Sequence, residues 1–128
     1  MKDTALLLGR ILIAAIFIIS GYSKITGYTG MAQYITSLGV SGALLPLIIL
    51  WELGGGLAIL LGFFTRPVAL LLAVYCVVTA VLVHYHPADQ MQMINFMKNM
   101  TMTGGFIYVA VTGAGALSLD RKLKLKWA

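Results

Sequence analysis

The sequence predicts an all-α protein: a four-helix transmembrane bundle with both termini on the cytoplasmic side and a short amphipathic helix in the first outer loop. Three observations lead there. First, 60% of the 128 residues are hydrophobic and only 10% are charged, and mean hydropathy is +0.95. A soluble domain carries about 25% charged residues, so a water-facing surface could not be covered. Second, four apolar stretches approach the ~20 residues that a helix needs to cross the hydrocarbon core. Third, lysine and arginine are distributed unevenly between the two sides that those stretches define.

The spans follow in order. The first runs from about residue 5 to 22 and is interrupted by Arg10. Lys2 before an apolar run resembles a signal peptide, but the length and the lack of a small-residue cleavage pattern favour a retained helix. The second covers 43–64 and contains one charge, Glu52; the third covers 67–85 and is uncharged until His84. The fourth, 95–117, opens on Lys98 and Asn99 and becomes apolar from Gly104. At this length one domain, residues 1–128, is expected.

The connections carry information too. Thr65-Arg66-Pro67 reads as a tight turn with Pro67 in the first turn of the next helix, where a missing N–H costs nothing. In the first outer loop Met31, Tyr34, Ile35 and Leu38 recur at i, i+3, i+4 and i+7, the period of an amphipathic helix lying on the membrane face. Thr29 is placed to cap its start and Gly39 to end it. Gly54, Ala58 and Gly62 form a small-residue stripe on span two, matched by Ala69 and Ala73 on span three and by Ala110 and Ala114 on span four. Such stripes let helix backbones approach in lipid.

Orientation comes from the basic residues. With the N-terminus inside, the cytoplasmic side holds Lys2, Arg10, Arg66, Arg121, Lys122, Lys124 and Lys126, and the outer side only Lys24 and Lys98. The same placement disposes of nucleic acid as the meaning of the +5 net charge, because the basic tail follows an apolar stretch as a juxtamembrane tail does. A bacterial inner membrane is the expected location and the bilayer the expected partner. Homo-oligomerisation is compatible with the sequence.

A charge at the bilayer centre costs at least about 2.5–3.5 kcal/mol on insertion scales. Glu52 is mid-span and too short to snorkel, so it must be protonated or paired. Arg10 is the expected partner, about 7 Å shallower by helix rise, unless it snorkels to headgroups. A second polar group gathers at the outer ends: Lys24, His84, Lys98 and Asn99, with hydroxyls from Ser20, Ser23, Thr101 and Thr103. One reading is interfacial decoration. The other is an outward-facing cavity with Glu52 at its floor, since an apolar cavity with a few convergent polar groups is the usual ligand site.

Cofactor chemistry finds little support. His84 and His86 stand near Met91, Met93, Met97, Met100 and Met102, and thioethers suit Cu(I), but histidines two apart face different sides of a helix and Met is a common apolar filler. The role of the Met91–Met102 segment is not readable. The sequence carries no haem, flavin or metal motif and no phosphate loop, and Cys76 has no partner cysteine.

Several short segments resemble the DoxX family of membrane proteins: Gly9-Arg10, then Ser20-Gly21-Tyr22-Ser23-Lys24-Ile25; Glu52-Leu53-Gly54-Gly55-Gly56 running into Leu61-Gly62 and Thr65-Arg66; Lys98-Asn99; and Thr112-Gly113 through Leu119-Asp120. The resemblance covers nearly the whole chain in order and is greatest to the small bacterial inner-membrane branch. It implies a four-helix bundle and an association with redox chemistry, since relatives are linked to quinone-using thiosulfate oxidation and to membrane oxidoreductase complexes. Fold analogy does not establish function.

The expectation is therefore a redox-associated subunit, with no catalytic motif of its own, that binds a quinone-like or small amphipathic molecule. Arg10 and Glu52 would form the buried charged centre, with Lys24, His84, Lys98 and Asn99 as polar contacts. A membrane or periplasmic oxidoreductase would be its partner. The alternatives are a non-catalytic solute-binding or transport protein, and a structural protein whose polar groups only fix helix register.

Overall fold

The computed structural model describes all 128 residues, and every regular element in it is helical. Helix α1 spans Lys2–Thr26, α2 Tyr28–Ser37, α3 Gly42–Leu61, α4 Thr65–His84, α5 Gln90–Thr112 and α6 Leu119–Lys122. Three of them, α1, α3 and α4, are long and apolar enough to cross a membrane. Helix α5 is equally long at 23 residues but more polar in its first half.

Local chemistry sets the ends. Asp89 accepts the backbone N–H groups of Met91 and Gln92 at 3.0 and 3.3 Å, so α5 begins at Gln90, before the predicted residue 95. It stops at Gly113, whose φ of +77° a side-chain-bearing residue rarely adopts. The segment from Gly113 to Leu117, expected to continue the fourth span, is therefore not helical. Pro67 sits in the first turn of α4 as predicted. Helix α2 forms where its period predicts, and Gly39 follows its end with φ +84°. Thr29 does not cap it; α2 starts one residue earlier, directly after Gly27 and with no side-chain cap.

One buried stripe per helix meets the others. Arg10, Ala14, Phe17 and Gly21 form it on α1, and Thr65, Ala69, Leu72, Ala73, Cys76 and Ala80 on α4. The core joins Ala14, Phe17, Ile59, Leu72, Cys76 and Phe106, with the Phe17 and Phe106 rings edge to face at 5.3 Å. Helix α4 packs most extensively on α5, and α1 on α3. Only 21 of the 128 residues are buried, and the outward faces carry large apolar side chains such as Leu12, Ile19, Leu70 and Val111.

The α1–α3 crossing is tight, and two glycines permit it. A Cβ at Gly21 would lie 2.8 Å from Leu53 Cβ and 2.9 Å from its backbone nitrogen; one at Gly56 would lie 3.1 Å from Phe17 Cβ. Of the predicted Gly54, Ala58 and Gly62 stripe, Gly54 is not in this contact, for a Cβ there would meet only Leu50 of its own helix, whereas one at Gly62 would run into Arg10 of α1. Ala69 and Ala73 are buried as expected.

This register corrects the predicted Arg10–Glu52 pair. Leu53 is level with Gly21, and Gly62 is level with Arg10. Glu52 therefore lies beside residues 20–24, about 15 Å along the helix from the level of Arg10. Arg10 does not snorkel either. It is 2% exposed and donates to the carbonyls of Ile59 and Leu60, both at 3.3 Å, and of Leu117. Those at 59 and 60 are carbonyls of the last turn of α3, where i to i+4 bonding ends and the negative end of the helix dipole lies. Arg66 likewise donates to Ala110 and Val111 at 3.2 and 2.6 Å at the end of α5. Asp120, fully buried, does the converse at the start of α4, accepting from Phe64 N at 2.8 Å, Thr65 N at 3.0 Å and Thr65 Oγ1 at 2.6 Å.

Candidate functional site

The opposite end of the bundle is built differently. Helices α1, α3, α4 and α5, with α2, surround a cavity of about 320 Å³ lined by 17 residues, 11 of them hydrophobic. That volume falls at the lower end of the roughly 300–1,000 Å³ of ligand pockets. Its apolar wall includes Phe17 of α1, Ile48 of α3, Val83 of α4 and Met102 of α5. Helix α2 turns Met31, Tyr34, Ile35 and Leu38 toward it. The predicted apolar stripe of α2 is thus present, and it lines the cavity.

The polar centre is an ion pair on the α1–α3 crossing. Lys24 Nζ lies 2.9 and 3.1 Å from the two Glu52 carboxylate oxygens and donates to Ser20 Oγ at 2.8 Å. Glu52 is 5% exposed and sits within a π-helical turn, Leu50–Gly54. Such turns insert an extra residue into a helix and occur often at functional sites. The Tyr75 hydroxyl donates to Glu52 Oε1. Its ring is braced by Trp51 at 5.3 Å and Phe17 at 6.3 Å.

Two further polar groups come from α4 and α5. Asn99 Nδ2 donates to Thr79 Oγ1 at 2.8 Å, and both residues line the cavity. His84 closes a second π-helical turn, Ala80–His84, and its Nδ1 lies 2.8 Å from Gln92 Oε1 on α5.

Of the predicted contacts, the fold brings Lys24, Glu52, His84 and Asn99 to one cavity. Arg10 belongs to the other end, and Lys98 is exposed and does not line the cavity. Among the hydroxyls only Ser20 lines it; Ser23, Thr101 and Thr103 each donate to a carbonyl of their own helix. Sequence reasoning missed Tyr75 and Thr79. The available signal was a mid-span tyrosine on the buried stripe of α4, because a buried tyrosine hydroxyl requires a partner.

Comparisons with known proteins identify a family. The DoxX family model matches residues 5–85, from α1 to the end of α4, and so includes the Lys24–Glu52–Tyr75 cluster. The chain is 50% identical to the inner membrane protein YqjF of Escherichia coli (strain K12) over 99% of its length and 98% of the relative's. It is 44% identical to the inner membrane protein YphA of the same organism, covering 94% of this chain and 91% of that one. It is 32% identical to CatD of Bacillus subtilis (strain 168), a proposed oxidoreductase, over 89% and 83% of the two chains. No solved structure matches. With a family model over most of its length and relatives that align nearly end to end, the chain belongs to the DoxX family.

Proposed function

We propose that this chain is an inner-membrane protein of four spans, with both termini cytoplasmic, whose cavity binds a quinone-like or other small amphipathic molecule as part of a redox-associated assembly. The observation that carries the binding reading is the Lys24–Glu52–Tyr75 cluster, held beside an apolar cavity of ligand size. An ion pair that only fixed register needs no open volume beside it; this one borders the cavity. The membrane reading draws on the three long apolar helices, the apolar outward surface and the two inner membrane relatives. The seven-to-two basic asymmetry supports the orientation. The redox association draws on the family and on the proposed oxidoreductase CatD.

Binding is tested by thermal unfolding of the purified protein with a panel of quinones and hydroquinones. A ligand at a hundredfold excess over its Kd stabilises by about 2.7 kcal/mol. The rise in Tm should nearly vanish in Glu52→Gln and persist in Lys126→Ala. A compound that stabilises wild type and Glu52→Gln equally would show that it binds elsewhere. Topology is tested by a reporter active only in the cytoplasm: active after Ala128, silent near Asp89. Activity at Asp89 would overturn the orientation.

A further inference from the structure

The polar atoms around the cavity divide into occupied donors and free acceptors. Lys24 has three ammonium protons, and they meet Ser20 Oγ and the two Glu52 oxygens. Tyr75 gives its single proton to Glu52 Oε1. The Thr79 hydroxyl proton goes back to the Tyr75 and Cys76 carbonyls at 2.9 and 3.2 Å. The two Asn99 Nδ2 protons face Thr79 Oγ1 and the Cys76 carbonyl. His84 Nδ1 faces Gln92 Oε1, and an amide oxygen can only accept, so Nδ1 is the donor of this pair.

Three acceptors are left over, one of them a charged carboxylate oxygen. Glu52 Oε2 receives one bond, from Lys24, and keeps acceptor capacity. Asn99 Oδ1 and the Nε2 of a neutral His84 receive none from the protein. Neither is sealed in the interior, since the only buried side-chain polar atoms without a partner are Arg10 Nε and Arg66 Nε at the other end. On the donor side there remain the Ser20 hydroxyl proton, next to Lys24, the Tyr34 hydroxyl, whose residue is 45% exposed, and the weak thiol donor of Cys76. Lys24 and Glu52 cancel each other's charge, and Lys98 adds no second cation, since it does not line the cavity.

We propose, building on the cavity reading above, that the site selects an uncharged hydroxyl-bearing aromatic, of the phenol or dihydroxybenzene class, over the carbonyl-only form of the same ring. One or two hydroxyl protons would go to acceptors among Glu52 Oε2, Asn99 Oδ1 and His84 Nε2, while the ring lies against Phe17 and Tyr75. A quinone has no proton to give and leaves unpaired each acceptor whose water it displaces, which costs that group's desolvation. An anion meets an ammonium whose protons are all engaged and a carboxylate that repels it.

The test is calorimetric titration of the full chain in detergent, without oxygen, with trimethylhydroquinone, the matching trimethylquinone and the hydroquinone dimethyl ether. The hydroquinone should bind roughly tenfold more tightly than either, the worth of one or two net hydrogen bonds. His84→Phe and Asn99→Leu should each shrink that preference several-fold. Equal or tighter binding of the quinone would overturn the donor rule and leave the cavity reading standing. A preference unchanged in both variants would overturn it in the same way. If none of the three compounds binds, the cavity reading falls and the selectivity with it.

Discussion

The two ends of the bundle use buried ionisable side chains in opposite ways. At one end Arg10, Arg66 and Asp120 direct their hydrogen bonds almost wholly to backbone groups at helix termini, capping α3, α5 and the start of α4. At the other end Lys24, Glu52 and Tyr75 bond to one another and border a cavity. A charge that satisfies helix ends holds helices in register and has little capacity left for a ligand. A charge held by another side chain next to open volume keeps lone pairs that a ligand can reach. Sequence alone shows a charge in an apolar helix in both cases; the partner tells the two apart.

Mutations should separate the two ends, beginning with the capping end. Asp120→Ala strips three acceptor contacts from Phe64 N, Thr65 N and Thr65 Oγ1 and leaves the buried Arg10 without its nearby counter-charge. It should cost about 3–5 kcal/mol in denaturant unfolding in detergent. A loss under ~1 kcal/mol would show that the caps are incidental. Lys24→Leu and Glu52→Leu should each destabilise by a similar order, and the double variant should recover much of the loss, since replacing both members of a buried pair is often nearly neutral. The Arg10→Leu and Glu52→Leu losses, in contrast, should add. Coupling between Arg10 and Glu52 would contradict the register described above.

Gly21→Ala tests that register directly. The added Cβ would press on Leu53 at 2.8 Å, including its backbone nitrogen at 2.9 Å, and overpacking of this kind costs about 1–3 kcal/mol. Ligand binding should weaken as well, because the crossing positions the Lys24–Glu52 pair; Gly54→Ala, which meets only its own helix, should spare both. Tyr75→Phe removes a hydrogen bond to a charged acceptor, worth about 1.5–3 kcal/mol, and keeps the ring contacts with Trp51 and Phe17. The smallest effect belongs to Lys98→Ala, which should leave stability within about 0.5 kcal/mol and ligand affinity unchanged. A clear loss of affinity there would return Lys98 to the site.

Helix existence and type were legible because they depend on local pattern. Apolar runs, Pro67 in a first turn and the i, i+3, i+4, i+7 spacing of Met31 to Leu38 act within one or two turns of chain, whereas the Asp89 cap that starts α5 at Gln90 was missed. The polar candidates were legible for the same reason: a charge in an apolar helix is visible wherever it lies. Four of the six named in advance, Lys24, Glu52, His84 and Asn99, meet at the cavity.

Pairing was not legible. Counting depth from predicted span ends put Arg10 near Glu52, because it assumed that adjacent helices begin at one common plane. The structure sets their relative height by the close approach of Gly21 to Leu53 and of Gly56 to Phe17, a contact between residues more than 30 positions apart in sequence. By itself the sequence determined that this protein is helical, apolar and punctuated by a few buried charges, since those are properties of single segments. Which charge meets which, which face of α2 looks inward, and that Tyr75 completes the cluster were decided only by tertiary packing. Steric fit between distant helices chooses one register among several that the hydrophobic pattern allows equally.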